Sequence, residues 1–229
     1  VTLLRQSSLA AVAALVLTGS RFALAAILAR RLSSSGFGQF VYAQWLVDMA
    51  FLVCSLGATG AVSRYVAEYH SDAAKLNAFI QKWRPWALGL PALAGGAVVV
   101  GTWMSGLALD LTSVILLALW AIASAAWAMQ TAALTGFQRF DLIFYANLIA
   151  ATSMLAGVLL LPVSANNPAI LFALMAAASG MATLPGLSQT LGWKNVEAVA
   201  PISEDQWRSV RRYAVNMWLI ALLWALLWS

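Results

Sequence analysis

Six apolar runs limit what this chain can become. Each is near the roughly 20 residues that cross a hydrocarbon core as a helix. They fall at about Ser8 to Ala29, Phe40 to Val62, Trp86 to Met104, Leu111 to Leu134, Leu142 to Val163 and Ala169 to Leu191. A seventh begins near Tyr213 and reaches the last residue, Ser229, so the reading expects a span cut short and a chain that continues. Inside lipid no water serves the backbone N–H and C=O groups, so each run must bond within itself as a helix. The expected fold is all-α, a polytopic transmembrane helix bundle of six complete spans plus a truncated seventh.

Composition points the same way. The chain is 62% hydrophobic and only 9% charged, against about 25% charged in ordinary globular domains. Its net charge of +5 does not mark a nucleic-acid binder, because the basic residues gather in short loops between apolar runs. That pattern sets membrane orientation. Ten of the thirteen Lys and Arg residues fall on one side if the N-terminus is inside: Arg5, Arg64, Lys75, Lys82, Arg84, Arg139, Lys194, Arg208, Arg211 and Arg212. Arg30 and Arg31 fall on the other. The expected place is therefore a cytoplasmic membrane of bacterial type, with membrane lipid as surroundings. Trp83, Trp86, Trp103 and Trp193 sit at span ends, as an interfacial belt requires.

The first run has some features of a signal peptide, with Arg5 ahead of it and Ala23-Leu24-Ala25 as a cleavage-like site. Arg21 just before that site, and more apolar sequence after it, favour a retained helix. The stretch Ser63 to Arg84 reads as polar and amphipathic. Pro91 and Gly95-Gly96 are expected kink points in the third span, and Pro185 is expected to bend the sixth.

Two charges lie within the spans, Arg21 and Asp48. They stand almost symmetrically about the turn Ser33-Ser34-Ser35-Gly36, so an antiparallel pair of helices joined there brings them to one depth. A charge at the centre of a span costs about 2.5–3.5 kcal/mol on insertion scales, and such residues face a partner or a water-filled cavity. Helical spacing extends the pattern. Gln44, Asp48, Ser55 and Thr59 fall within about 60° on the second span, at ~100° per residue. Ser7, Thr18 and Arg21 share a face of the first. Trp120, Ser124, Trp127 and Thr131 form a stripe on the fourth, where indoles and hydroxyls suit a cavity that stacks on sugar rings. Asn147 on the fifth span and Gln130 on the fourth are further polar candidates, as is Asn216 on the seventh. The plain alternative to a lumen is a structural Arg21–Asp48 pair with small polar residues as packing. For the indole stripe it is ordinary packing, with each N–H satisfied by a neighbouring helix.

No enzyme motif is present. The sequence has no Walker A loop, nucleophile elbow or metal-ligand spacing, and no catalytic residue, cofactor site or metal site is assigned. Cys54 is the only cysteine and His70 the only histidine. Arg64 and Glu68 are spaced for an i,i+4 pair of modest worth.

The order of short motifs carries a resemblance. Ala29-Arg30-Arg31-Leu32, followed by Gly36-Phe37-Gly38-Gln39-Phe40, resembles the junction between the first two helices of the polysaccharide-export (oligosaccharide-lipid) flippases. Leu56-Gly57, then Arg64-Tyr65-Val66-Ala67-Glu68-Tyr69, is similar to the end of their second helix. Leu134-Thr135-Gly136-Phe137-Gln138-Arg139-Phe140 is similar to their inside turn between helices four and five. The turn departs from the family's acidic or proline-containing form in carrying Ser33-Ser34-Ser35. The family belongs to the multidrug/oligosaccharidyl-lipid/polysaccharide exporter superfamily.

The resemblance implies two helical lobes around a central cavity, alternating access and a polyprenyl-pyrophosphate-linked glycan as substrate. Residues 1–191 would be the first lobe, 192–212 a cytoplasmic linker and 213–229 the start of a second lobe, whose remainder is a C-terminal half of the same chain. Arg21 would contact the headgroup or gate the path. Asp48 would balance it and take a coupling proton or Na⁺. The rival readings are a multidrug-type cation antiporter and a non-transporting structural membrane subunit.

Overall fold

The computed structural model describes residues 2–107, 109–160, 168–186 and 202–228. Every regular element among them is a helix. These are α1 (Thr2–Arg31), α2 (Ser34–Ser55), α3 (Ala58–Tyr69), α4 (Ala73–Met104), α5 (Leu111–Gly136), α6 (Phe140–Leu160), α7 (Pro168–Met181) and α8 (Glu204–Trp228). Six helices are long and apolar enough to cross a membrane: α1, α2, α4, α5, α6, and α7 taken on to Gly186. The chain is thus a multi-pass helical bundle by length and composition.

Local chemistry sets the boundaries. Ser33 caps α2, its hydroxyl accepting from the Gly36 amide at 3.2 Å, so α2 begins at Ser34 and the serine-rich turn belongs to the helix. Asp72 caps α4 by accepting from the Lys75 amide at 3.1 Å. Arg31 ends α1 and reaches across to α6, donating to the Val158 carbonyl at 2.5 Å. A cation there meets the negative end of the α6 dipole and one of its unpaired last carbonyls.

Three expectations need correction. The second span is not one helix to Val62. It breaks at Leu56 (φ 46°) and Gly57 (φ 71°), both left-handed, and restarts as α3. A left-handed leucine costs about 1–2 kcal/mol, and α8 holds it in place. The Trp218 indole donates to the Leu52 carbonyl at 3.1 Å, one of the acceptors that the helix end leaves free. A Cβ on Gly57 would fall 1.9 Å from the Ala214 carbonyl oxygen, so only glycine lets the two backbones approach this closely. Second, residues 204–212, expected as part of a linker ahead of the seventh span, are helical. They are the first turns of α8, running unbroken into the apolar stretch. Of the stretch given to the linker, residues 192–201 lie outside the described residues, as do 161–163 and 187–191 at the expected span ends. Third, α4 starts thirteen residues before Trp86 and carries both Pro85 and Pro91 within it. The bend expected from Pro185 lies just ahead of it, at Ala182-Thr183.

Packing runs round the bundle from α1 to α6, then α7, α5, α4 and α2, while α3 lies on α5 and under α8. Neighbours in sequence, α1 and α2 barely touch. Two large apolar clusters close the bundle, beside a small one of Ala13, Leu134 and Ile143. One, at the Ser33 turn end and along the bundle core, holds Leu28, Phe40, Leu117, Trp120, Leu171 and Phe172. The other, at the Gly136 end, holds Tyr65, Val66, Tyr69, Phe79, Trp207 and Val210. The second is clamped by ion pairs, with Glu204 meeting Lys82 at 3.5 Å and Arg211 at 2.7 Å.

Candidate functional site

Because α1 leans on α6 and not on α2, the bundle keeps a central cavity of about 610 Å³. That volume lies within the ~300–1,000 Å³ usual for ligand sites. Helix α1 contributes Leu17, Arg21 and Leu24 to its wall. Helix α2 contributes Gln44, Val47, Asp48 and Phe51, and α3 adds Thr59, Gly60 and Ser63. Helix α5 presents Trp120, Ser124, Trp127, Thr131 and Thr135, while Asn147, Met154, Met175 and Ser179 complete it from α6 and α7.

Nine of the residues singled out in the sequence therefore line one space, namely Arg21, Gln44, Asp48, Thr59, Trp120, Ser124, Trp127, Thr131 and Asn147, whereas Thr18, Ser55, Gln130 and Asn216 do not; the Ser7 side chain lies outside what is described. The cavity face of α1 is centred on Leu17, Arg21 and Leu24. Thr18 is turned away from that centre at ~100° per residue and lies exposed elsewhere. Ser55 has the right angle but ends α2. It is buried, and its hydroxyl donates to the Leu52 carbonyl at 3.2 Å. Ser63 and Ser179 were missed. Ser63 had been placed in a polar stretch outside the span, and the α7 sequence offers no stripe around Ser179. Met154 and Met175 carry no sequence signal separable from core.

Arg21 and Asp48 share the wall without a direct ion pair, and neither makes a hydrogen bond to a described residue. Their depths explain this. Arg21 is ten residues from the end of α1, and Asp48 fourteen from the start of α2. At ~1.5 Å per residue the two are offset by roughly 6 Å along the axis. The symmetry expected about the serine turn was lost when α2 began at Ser34.

The opposite wall is internally bonded. Ser124 and Ser179 hydroxyls lie 3.2 Å apart, and the Asn147 amide donates to the Ala13 carbonyl at 3.0 Å. Gln130 does not face the cavity. Its amide donates at 2.8 Å to the Thr183 carbonyl, at the turn that follows α7. Trp120 touches the cavity, but it packs against Phe40 and Phe172 at 6.2 and 6.3 Å between ring centroids and is only 6% exposed. It is therefore no open platform for a sugar ring. Trp127 is buried, and its indole nitrogen has no acceptor among the described residues.

Elsewhere, Arg64 and Glu68 approach to 3.9 Å, half exposed. Asn216 is exposed on α8. His70 packs edge-on against Phe137. Among the described residues no three His, Cys, Asp or Glu side chains gather as metal ligands. Comparison with family models, with curated proteins and with solved structures finds no match for this chain.

Proposed function

We propose that this chain is the cavity-bearing part of a flippase that carries a polyprenyl-pyrophosphate-linked oligosaccharide across the cytoplasmic membrane by alternating access. The observation that supports it is a largely apolar cavity that gathers a cluster of polar side chains inside the bundle, among them an arginine that no carboxylate occupies directly. Guanidinium suits pyrophosphate, because its fork of donors meets phosphate oxygens in charge-assisted pairs. Gln44, Thr59 and Thr131 supply neutral partners for sugar hydroxyls, and the prenyl tail stays in lipid. Arg21 binds the headgroup. Asp48 balances it in the empty state and accepts the coupling proton or Na⁺. The resemblance in the turn motifs supports the same reading, with the N-terminus and the Gly136 end on the cytoplasmic side. A remaining C-terminal half of the chain supplies the second lobe.

The test uses cells whose surface polysaccharide depends on the complete protein. Arg21→Ala should remove surface glycan and leave its lipid-linked precursor at the inner leaflet, with the protein still inserted. Arg21→Lys should restore only part of the export, since lysine lacks the planar fork. Normal export by Arg21→Ala sinks the reading. A cation antiporter is favoured by one observation, the unbridged Asp48 in the same wall. It predicts that Asp48→Asn stops efflux of cationic dyes while Arg21→Ala does not. Thiol labelling of Ser34→Cys from outside and Thr135→Cys from inside tests the orientation.

A further inference from the structure

Only Arg21 and Asp48 carry charge among the residues that line the central cavity, and its Gly136 end is neutral. There α3 presents Thr59 and Ser63, and α5 presents Thr131 and Thr135. The members of each pair are four residues apart, so they share one helix face, about one turn from each other. Gly136 brings the two helices together. A Cβ on it would fall 2.6 Å from the Val66 Cβ and 2.7 Å from the Ser63 carbonyl oxygen. Ser63 and Thr135 therefore sit at one level. Both helices run toward the Gly136 end, so Thr59 and Thr131 come one turn back from that level. The result is a patch of four hydroxyls on two adjoining helices.

The four do not offer the same chemistry. Ser63 donates to the Gly60 carbonyl at 3.1 Å and Thr135 to the Thr131 carbonyl at 2.8 Å. Their protons are engaged within their own helices, and their oxygens remain as acceptors. The Thr59 and Thr131 hydroxyls make no hydrogen bond to a described residue, so their donors are free. Three of the four residues are half-buried and Thr135 is exposed, so a ligand reaches them. Free donors at one level and acceptors at the next suit a ligand whose own groups both donate and accept. A sugar hydroxyl does both, whereas an ionised phosphate oxygen only accepts. Depth separates the patch from the charged level. Counted from the Phe40–Trp120 stack, Asp48 is eight residues on and Thr131 eleven, roughly 12 and 17 Å. Arg21 stands roughly 6 Å nearer the stack than Asp48. Thr131 is thus roughly 11 Å beyond Arg21, and Thr135 roughly 17 Å, farther than one sugar ring spans.

We infer that this patch is a distal-sugar subsite, which holds units of the glycan beyond the one joined to the pyrophosphate. It rests on the flippase reading, and it makes the chain recognise a glycan by its length. A lipid-linked single sugar is held at Arg21 and Gln44 alone. The reaction that supplies a fully held substrate is then a second or later glycosyl transfer onto the lipid-linked sugar.

The experiment measures equilibrium binding to the complete protein in detergent. Two ligands are compared, both drawn from cells whose surface polysaccharide depends on the protein. One is the polyprenyl pyrophosphate carrying the complete oligosaccharide. The other is the same lipid carrying its first sugar only, obtained by blocking the second glycosyl transfer. The parent should bind the complete ligand at least fivefold more tightly, as two weak hydrogen bonds would give. Thr59→Val with Thr131→Val removes both free donors at similar side-chain size. It should abolish that difference and leave binding of the one-sugar lipid unchanged, which also reports that the protein is folded. Should the double variant fail to fold, each single variant should cut the difference at least twofold. Arg21→Ala should weaken both ligands alike. Equal binding of the two ligands by the parent overturns the subsite, and so does a full difference that survives in the folded valine variants. In either case, weakening by Arg21→Ala leaves the flippase standing. Binding of neither ligand by the parent instead removes the flippase reading, and the subsite with it.

Discussion

The α1–α2 wall of the cavity and the α5–α7 wall carry polar residues of similar number and use them differently. On α5 and α7 two hydroxyls are joined to each other, while the Trp127 indole nitrogen and the Thr131 hydroxyl have no partner among the described residues. Ser124 meets Ser179, and behind the cavity face Gln130 meets the carbonyl left free at Thr183. On α1 and α2, Arg21, Gln44 and Asp48 make no hydrogen bond to a described residue, and the two helices scarcely pack. Arg21 and Asp48 are exposed and Gln44 is half-buried, so water or a ligand reaches them, and the cost of about 1–3 kcal/mol for a buried polar group left unmade does not fall on them. The lesson is that polarity within a span is not evidence of a binding site. Polarity without a protein partner, beside a cavity, is.

The largest expected effects fall on the unbonded wall. Hydrogen bonds to charged groups contribute about 1.5–3 kcal/mol, roughly 10- to 100-fold in rate or affinity. Asp48→Ala and Arg21→Ala should each lower export by that much while the unfolding midpoint in detergent hardly moves. Gln44→Ala should act in the same direction and less strongly. The comparison breaks if Asp48→Ala costs as much stability as it costs export, for the wall would then be structural.

The bonded wall should answer in the opposite way. Interhelical hydrogen bonds in membranes contribute about 0.6 kcal/mol on average and up to ~1.7. Gln130→Leu should lie near the upper figure, because it strands the Thr183 carbonyl at a bend. Export should be unchanged. Asn147 sharpens the comparison, since it lines the cavity and also ties α6 to α1 through Ala13. Asn147→Leu should lose about 1 kcal/mol of stability and export together. A loss of export alone would move Asn147 to the ligand-binding wall.

Much of this was legible in the sequence, for particular reasons. Charges inside apolar runs are costly enough to stand out, so Arg21 and Asp48 were found by type and position alone. Period 3.6 then found Gln44, Thr59, Ser124, Thr131 and the two indoles. Periodicity fails where a helix ends. Ser55 was misread because the break at Leu56-Gly57 depends on α8 packing against it, more than 150 residues along the chain. It also fails to separate a cavity wall from a core. Trp120 has the angle of a lining residue, yet only the structure reveals that it packs against Phe40 and Phe172 and is buried. The extent of α8 was hidden for a different reason. Its first turns, from Glu204 to Arg212, carry the charge expected of a loop, and contacts between Trp207 and Phe79 and Trp83 turn that segment into a docked helix.

Ser179→Ala should have a smaller effect than Gln130→Leu. The Ser124 hydroxyl it abandons can turn toward the cavity, so the cost should approach the average of about 0.6 kcal/mol. An export rate unchanged within error would keep the pair on the structural side. If export falls with stability unmoved, the Ser124–Ser179 pair is part of the ligand's path and the two walls do not differ in kind.

The smallest effect is expected outside the spans, where a fully partnered polar group faces water. The Asp72 carboxyl is held below its usual range, chiefly by the Lys75 backbone N–H and then by the Lys75 side chain, whose ammonium lies 3.1 Å away. A depressed carboxylate contributes stability that is present above its unfolded value of about 3.9 and lost as pH falls through the lower folded value. Hydrogen exchange at the Lys75 amide should therefore be protected at neutral pH and lose protection in acid, beginning below the ordinary carboxylate range. Asp72→Asn, which can still cap a helix, should keep most of that protection and make it independent of pH. Asp72→Ala should remove it at every pH. Both variants should export normally, because the cap touches neither wall of the cavity. A clear export defect in Asp72→Asn, with the cap intact, would mean that charge at this turn is sensed inside the bundle, and that partnered groups are not all structural.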